Sequence, residues 1–253
     1  MTNKIFFFSL LILFLYSCSS NEDITIQNKK LTVNFIHEWD GTLVTKNDFN
    51  VVKFATEDKD TISIERYRYV LSNIKLVDNS SFETPLLDYM LIDLGEEQNL
   101  SFTIDKLILD RTYTLNFTFG FTDADNTDGA YADLNTTNFN VPQMLGGGYH
   151  YMQFDGKFIS ATTTTPAGFN YHAIRAVNLT DPANIIYRDT SFEVNLNNIV
   201  ITGNEATIDV KVNIAEWFKN PNTWDLDVLN QMLMPNFDAQ VEMNSNGRNV
   251  FSL

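Results

Sequence analysis

The chain is predicted to be all-β, an antiparallel β-sandwich or flattened barrel with a short helical segment near its C-terminus. Three observations point there. The stretch "TYTLNFTFGF" places Tyr113, Leu115, Phe117, Phe119 and Phe121 on one face of a strand and Thr114, Asn116 and Thr118 on the other. "ATIDVKVNI" repeats the scheme, with Ile208, Val210, Val212 and Ile214 inward and Asp209, Lys211 and Asn213 outward. Clusters of Asp, Asn, Gly and Pro separate such runs, and the chain carries 20 Phe and 10 Tyr, residues that suit a pleated, half-buried surface.

Taken in order, the N-terminus "MTNKIFFFSLLILFLYSCSS" has one early lysine, Lys4, then an apolar run from Ile5 to Tyr16. That run is too short for a membrane-crossing helix, which needs about 20 residues. It reads as the core of a signal peptide over 1–17. Leu15-Tyr16-Ser17-Cys18 resembles a bacterial lipobox, with Cys18, the single cysteine, as the lipidated first residue of the mature chain. Residues 18–30 form a polar, acidic tether, and 31–253 the folded domain.

Strands are expected at 31–38, 62–77, 89–94, 100–104, 113–121, 149–159, 170–177, 190–196, 198–202 and 206–214. Turns are expected at Asp40-Gly41, Asp155-Gly156 and Gly203-Asn204. About ten strands suit two packed sheets better than one open sheet. The segment 214–233, interrupted by Pro221, has the one helical pattern and is expected to cover an end of the sheets.

Composition excludes several functions. One cysteine leaves no intramolecular disulfide and no thiolate metal cage. Without residues 1–17 the chain has 16 basic against 32 acidic residues, which argues against nucleic acid as a partner. No nucleophile elbow, phosphate loop or His-Glu-x-x-His occurs, so no enzyme is expected.

Two constellations could bind metal. The three histidines, His37, His150 and His172, lie on distant segments, and imidazole nitrogens suit copper. His150 follows Gly146-Gly147-Gly148, a run that either lets the backbone approach a ligand or makes a bulge, and in both cases aims His150. His150 and His172 are the favoured pair, with Met144 or Met152 as soft donors for Cu(I); the bland alternative is that each histidine is hydrogen-bonded in the core. "DADNTDG" offers Asp123, Asp125, Asn126 and Asp128 as oxygen ligands for calcium, or is an acidic turn.

The segments "RYRYVLSNIKL" (66–76), "YMLIDL" (89–94), "FTFGFTDADNTDG" (117–129), "MLGGGYHYMQFDGKF" (144–158), "FNYHA" (169–173) and "NVFSL" (249–253), in that order, resemble the MbnP-like copper-binding family. The resemblance implies a non-catalytic β-sandwich of the bacterial envelope that binds copper through histidines and an oxidised tryptophan, kynurenine, made by a di-haem partner enzyme. By this resemblance His172 in "FNYHA" and His37 on the first strand match family histidines, and His150 lies just after the matching Gly148-Tyr149 pair. Family members often carry tryptophan just before the Gly-Tyr pair, whereas here "PQMLGGGY" has none, and Trp39, Trp217 and Trp224 lie elsewhere. The expectation is thus a copper-binding outer-membrane lipoprotein, anchored through Cys18 in the cell envelope; the alternative is a glycan-binding or surface interaction sandwich that has lost the copper site.

Overall fold

A computed structural model describes residues 28–163 and 165–253. The lipobox, Cys18 and most of the tether lie outside the described residues. The principal strands are β1 (Asn28–Trp39), β2 (Arg66–Asp78), β3 (Glu83–Asp93), β4 (Ser101–Leu107), β5 (Arg111–Phe119), β6 (Met152–Ile159), β7 (Pro166–Ala173), β8 (Phe192–Ile201) and β9 (Glu205–Asn213). A short helix α1 (Ala132–Thr136) precedes β6, and helix α2 (Phe237–Gly247) lies near the C-terminus.

Two sheets enclose the core. In the smaller, β1 is flanked by β4 and β9, with Phe251–Ser252 pairing β9 at its edge. In the larger, β2 takes β3 along one edge; on the other edge its first residues pair β6 and its later ones pair β5. The sheet forks there, where the Val70 amide donates to Tyr151 O and the Gly120 amide to Val70 O, both at 2.9 Å. Gly120 holds this fork because its φ is +80° and a Cβ would lie 2.4 Å from the Tyr151 ring.

The strands follow the predicted alternation with instructive departures. β1 begins at Asn28, inside the expected tether, because Asn28 to Lys30 pair with Asp105 to Leu107 of β4. β1 and β9 run parallel, so one pair in an otherwise antiparallel fold needs a crossover. The expected turn at Asp155-Gly156 is the middle of β6. Glycine is needed there because a Cβ would fall 2.0 Å from Ser63 O, so the residue permits close strand approach and does not mark a bend. The two strands expected at 190–202 are one, β8, with an irregularity between Leu196 and Ile199. The expected helical segment 214–233 gives only a 3₁₀ turn over Ile214–Phe218, and the main helix comes later, as α2. Asn236 caps α2 by accepting from the Ala239 amide. Its sequence, "FDAQVEMNSNG", is poor in strong helix formers, so packing and the cap hold it.

The core is aromatic, with Tyr67, Tyr69, Phe117, Phe119, Phe154, Tyr171, Trp217 and Trp224 almost wholly buried. Buried hydroxyl and indole groups need partners. Trp217 Nε1 donates to the Tyr67 hydroxyl at 3.0 Å, and the Tyr171 hydroxyl donates to Trp217 O at 3.1 Å. His37, on β1, belongs to this system. It is 2% exposed, its ring lies edge-on to Tyr67 and Tyr69, and its Nε2 is 3.0 Å from the Tyr69 hydroxyl.

Burial lowers the His37 pKa from 6.5 to about 3, against a smaller upward pull from the Phe35 carbonyl. The ring is neutral in the folded protein, whereas the unfolded chain takes up a proton below pH ~6.5. The stability that neutral His37 represents is therefore complete above that pH and is lost as pH falls toward about 3. Urea unfolding midpoints should decline between pH 6.5 and 4, and His37→Gln should flatten that decline. An unchanged slope would contradict the burial assigned to this ring.

Candidate metal site

The site grows from a period-two pattern on three adjacent strands. Arg66 and Arg68 on β2 stand opposite Asp155 and Gln153 on β6, which stand opposite Asn170 and His172 on β7. Between them Tyr67, Phe154 and Tyr171 point to the core, so "RYR", "QFD" and "NYH" each turn a polar pair to the outer face. That face is not wet throughout. The segment after α1 folds across it, with Arg68 donating to Thr137 O and Gln153 Nε2 to Asn138 O, and Gln153 is only 4% exposed.

His150 enters from this roof. It precedes β6 rather than lying on it, so strand parity does not aim it. The three glycines do. Gly146, Gly147 and Gly148 all have left-handed φ, between +65° and +99°. They return the chain so that the Val141 amide bonds Gly148 O and the His150 amide bonds Phe139 O. The "DADNTDG" loop clamps the turn. Asn126 Oδ1 accepts from the Tyr149 amide at 2.8 Å, and Asp128 accepts from Gln143 Nε2 and the Gly148 amide. Asp125 accepts from Thr122 and Asn73. Asp123 lies 3.6 Å from Arg175, whose Nη2 donates to Gly146 O. Of the four residues expected as calcium ligands, Asn126 and Asp128 thus accept hydrogen bonds from the turn before His150, Asp125 accepts from Thr122 and Asn73, and Asp123 faces Arg175 as an ion pair.

The ring centroids of His150 and His172 are 5.2 Å apart with planes at 82°. His150 Nδ1 is 2.9 Å from Phe139 O, and a carbonyl can only accept, so Nδ1 carries the proton. His150 Nε2 is then a bare lone pair, buried and without a hydrogen-bond partner among the described residues. Burial, the largest influence, lowers the His150 pKa to about 4, although the Phe139 carbonyl pulls it up. His172 Nε2 is 2.7 Å from Asp155 Oδ1. Partial burial opposes ionisation of Asp155, but the bond from His172, with Asn170 and Arg66, outweighs it and holds the carboxyl below its usual range. A carboxylate can only accept, so His172 Nε2 carries a proton and Nδ1 is the ring nitrogen left for another partner.

The pair therefore presents Nε2 of one ring and Nδ1 of the other, each fixed by an acceptor behind it. This carbonyl-histidine and carboxylate-histidine support is how metal-binding imidazoles are held. Histidine ligation needs neutral rings, and burial keeps His150 neutral. The third expected histidine, His37, stands with Tyr67 and Tyr69 and is not brought into this contact. Among the described residues no group of three or more His, Cys, Asp or Glu stands together as a metal cage. Two of the three expected histidine rings are thus in contact among the described residues. Met152 is fully buried in the core, whereas Met144 is 79% exposed and lines a cleft with His172. The three tryptophan indoles donate to Ala55 O, the Tyr67 hydroxyl and Leu229 O, and none is in ring contact with His150 or His172.

Sequence reasoning missed Asp155, Arg68, Gln153 and Arg175, which orient the pair or its turn, and Gln240. The Gln240 amide donates to His172 O and its carbonyl accepts from the Ile174 amide, both at 2.8 Å, so α2 fixes the end of β7. If the turn aims His150, filling it must be costly. Gly148→Ala puts a Cβ 2.5 Å from Asn126 Oδ1 at a φ of +76°. The left-handed conformation alone costs about 1–2 kcal/mol for a residue with a Cβ. The variant should lose at least that much in urea unfolding, and a loss below ~0.5 kcal/mol would contradict the clamp.

The MbnP family model matches residues 28–235. The chain is similar to the solved structure of MbnP from Methylosinus trichosporium, with a TM-score of 0.54 at 12% identity over 79% of this chain and 80% of that one. No curated protein sequence matches. The matched span contains both members of the His150–His172 contact. The chain belongs to the MbnP family.

Proposed function

We propose that this MbnP-family protein binds copper through His150 Nε2 and His172 Nδ1, as a carrier or scavenger and not as a catalyst. The observation that carries the reading is the unpartnered His150 Nε2. A buried polar atom without a partner costs about 1–3 kcal/mol, and a second imidazole in ring contact makes a metal ion the chemical group that would use both lone pairs. Copper is favoured because nitrogen sites of this kind bind Cu(II) more tightly than the other divalent first-row ions. The site lacks a tryptophan, so the copper environment here uses imidazole without kynurenine. A di-haem oxidising partner, which the family resemblance suggests, would have to act on an indole outside this contact.

We further propose that Cys18 is acylated and tethers the domain to the outer membrane of the cell envelope, periplasmic or surface-facing. The support is the short apolar run and lipobox-like Leu15-Tyr16-Ser17-Cys18. Multiple acyl chains are needed for stable anchoring, since one chain alone binds only marginally. The glycan-binding alternative draws no support from the surface: among the described residues the strongly exposed aromatics are Phe82 and Tyr187, on separate segments.

Cu(II) titration should show one tight site in the wild type, with nitrogen hyperfine structure by electron paramagnetic resonance. His150→Gln and His172→Gln should each abolish the tight phase, and Asp155→Asn should weaken it roughly 10–100-fold by releasing His172. A double histidine variant that binds copper as the wild type does would contradict the assignment. For the anchor, Cys18→Ala should move the protein from the membrane to the soluble fraction and abolish labelling by a fatty-acid probe; unchanged membrane partition would exclude acylation at Cys18.

A further inference from the structure

Beside the histidine pair lies a cleft of about 570 Å³ lined by His172, Met144, Met232, Met234, Leu145 and Leu233, among others. Three of the seven methionines in the chain border this one cavity. Two of them are displayed: Met144 is 79% and Met232 77% exposed. Met232 has a φ of +56°, a left-handed conformation that a residue with a Cβ adopts only at a cost. An apolar side chain held outward on a strained backbone gains little burial in return.

The methionines are placed against His172 by named bonds. The Asn170 amide donates to Asn230 O at 2.8 Å, docking the Met232 segment on the outer edge of β7. Gln240 Nε2 then donates to both His172 O, at 2.8 Å, and Leu233 O, at 3.0 Å. One buried amide therefore holds the histidine strand and the residue between Met232 and Met234. From the opposite side, Met144 sits in the 3₁₀ turn Gln143–Leu145 that leads into the glycine run and His150. Both flanks of the cleft are thus mechanically continuous with the histidine pair.

Leucine would line such a cleft equally well as a hydrophobe. What methionine adds is a flexible thioether, a soft donor that selects Cu(I) and Ag(I) over divalent ions. We infer that this cleft is a thioether capture site for soft monovalent metal, at which Met144, Met232 and Met234 hold Cu(I) or Ag(I) next to His172. The inference rests on the histidine reading only for where the ion goes next; thioether capture itself stands or falls separately.

Silver(I) is the probe, being redox-inert and soft. In protein labelled with ¹³C at the methionine methyl groups, Ag(I) should shift the resonances of Met144, Met232 and Met234 and leave those of Met152 and Met243, both buried, in place. The triple variant Met144→Leu/Met232→Leu/Met234→Leu keeps the apolar volume, a class of exchange that costs under ~1.5 kcal/mol per site. It should bind Ag(I) at least tenfold more weakly while its Cu(II) titration stays as in the wild type. The His150→Gln/His172→Gln variant should do the reverse, losing Cu(II) and keeping the methionine shifts. Wild-type silver affinity in the triple variant, or silver shifts confined to buried methionines, would overturn the capture site. Failure of the Cu(II) titration alone would overturn only the histidine assignment.

Discussion

A buried imidazole nitrogen without a hydrogen-bond partner among the described residues is the feature around which this protein's arrangement makes sense. His150 Nε2 is left bare because the other ring nitrogen is committed to the Phe139 carbonyl. At His37, by contrast, Nε2 meets the Tyr69 hydroxyl. The turn that delivers His150 uses three left-handed glycines and is braced by Asn126, Asp128 and Arg175. That bracing places the His150 ring in contact with a second histidine, whose Nε2 is bonded to Asp155. Two acceptors, the Phe139 carbonyl and the Asp155 carboxylate, thereby fix one nitrogen of each ring.

The same physics separates the three histidines. All are legible in the sequence as candidate ligands, and single-sequence reasoning could not rank them by environment. His37 lies among tyrosines that satisfy it, and its strand belongs to the smaller sheet. His172 sits on the outer face of the larger sheet with Asp155, where a hydrogen-bonded carboxylate orients it. The distinction is not which residue is histidine but what stands behind each ring.

Much of the fold was readable because strand alternation is a local signal: "TYTLNFTF" and "ATIDVKVN" become β5 and β9. The pattern "RYR", "QFD" and "NYH" was also present, and reading the three polar pairs as one row would have disclosed Arg68, Gln153 and Asp155. What escaped was non-local. Gly156 resembles a turn residue, yet it serves a close approach of Ser63 from another segment. Helix α2 is held by its Asn236 cap and by packing, neither of which gives a strong periodic signal. The acidic loop 123–129 resembles a cation loop, and its hydrogen bonds to the glycine turn depend on a chain segment some 20 residues away in sequence.

The central claim is that the two rings adopt opposite tautomers, and it can be read without adding any metal. Long-range ¹H–¹⁵N correlation spectra of the histidine side chains in metal-free protein near pH 7 report which nitrogen of each ring is unprotonated. His150 should be protonated at Nδ1 with a bare Nε2, and the proton that His172 shares with Asp155 should sit on Nε2. A His150 ring protonated at Nε2 would remove its lone pair from the site and contradict the arrangement from which the copper reading is drawn.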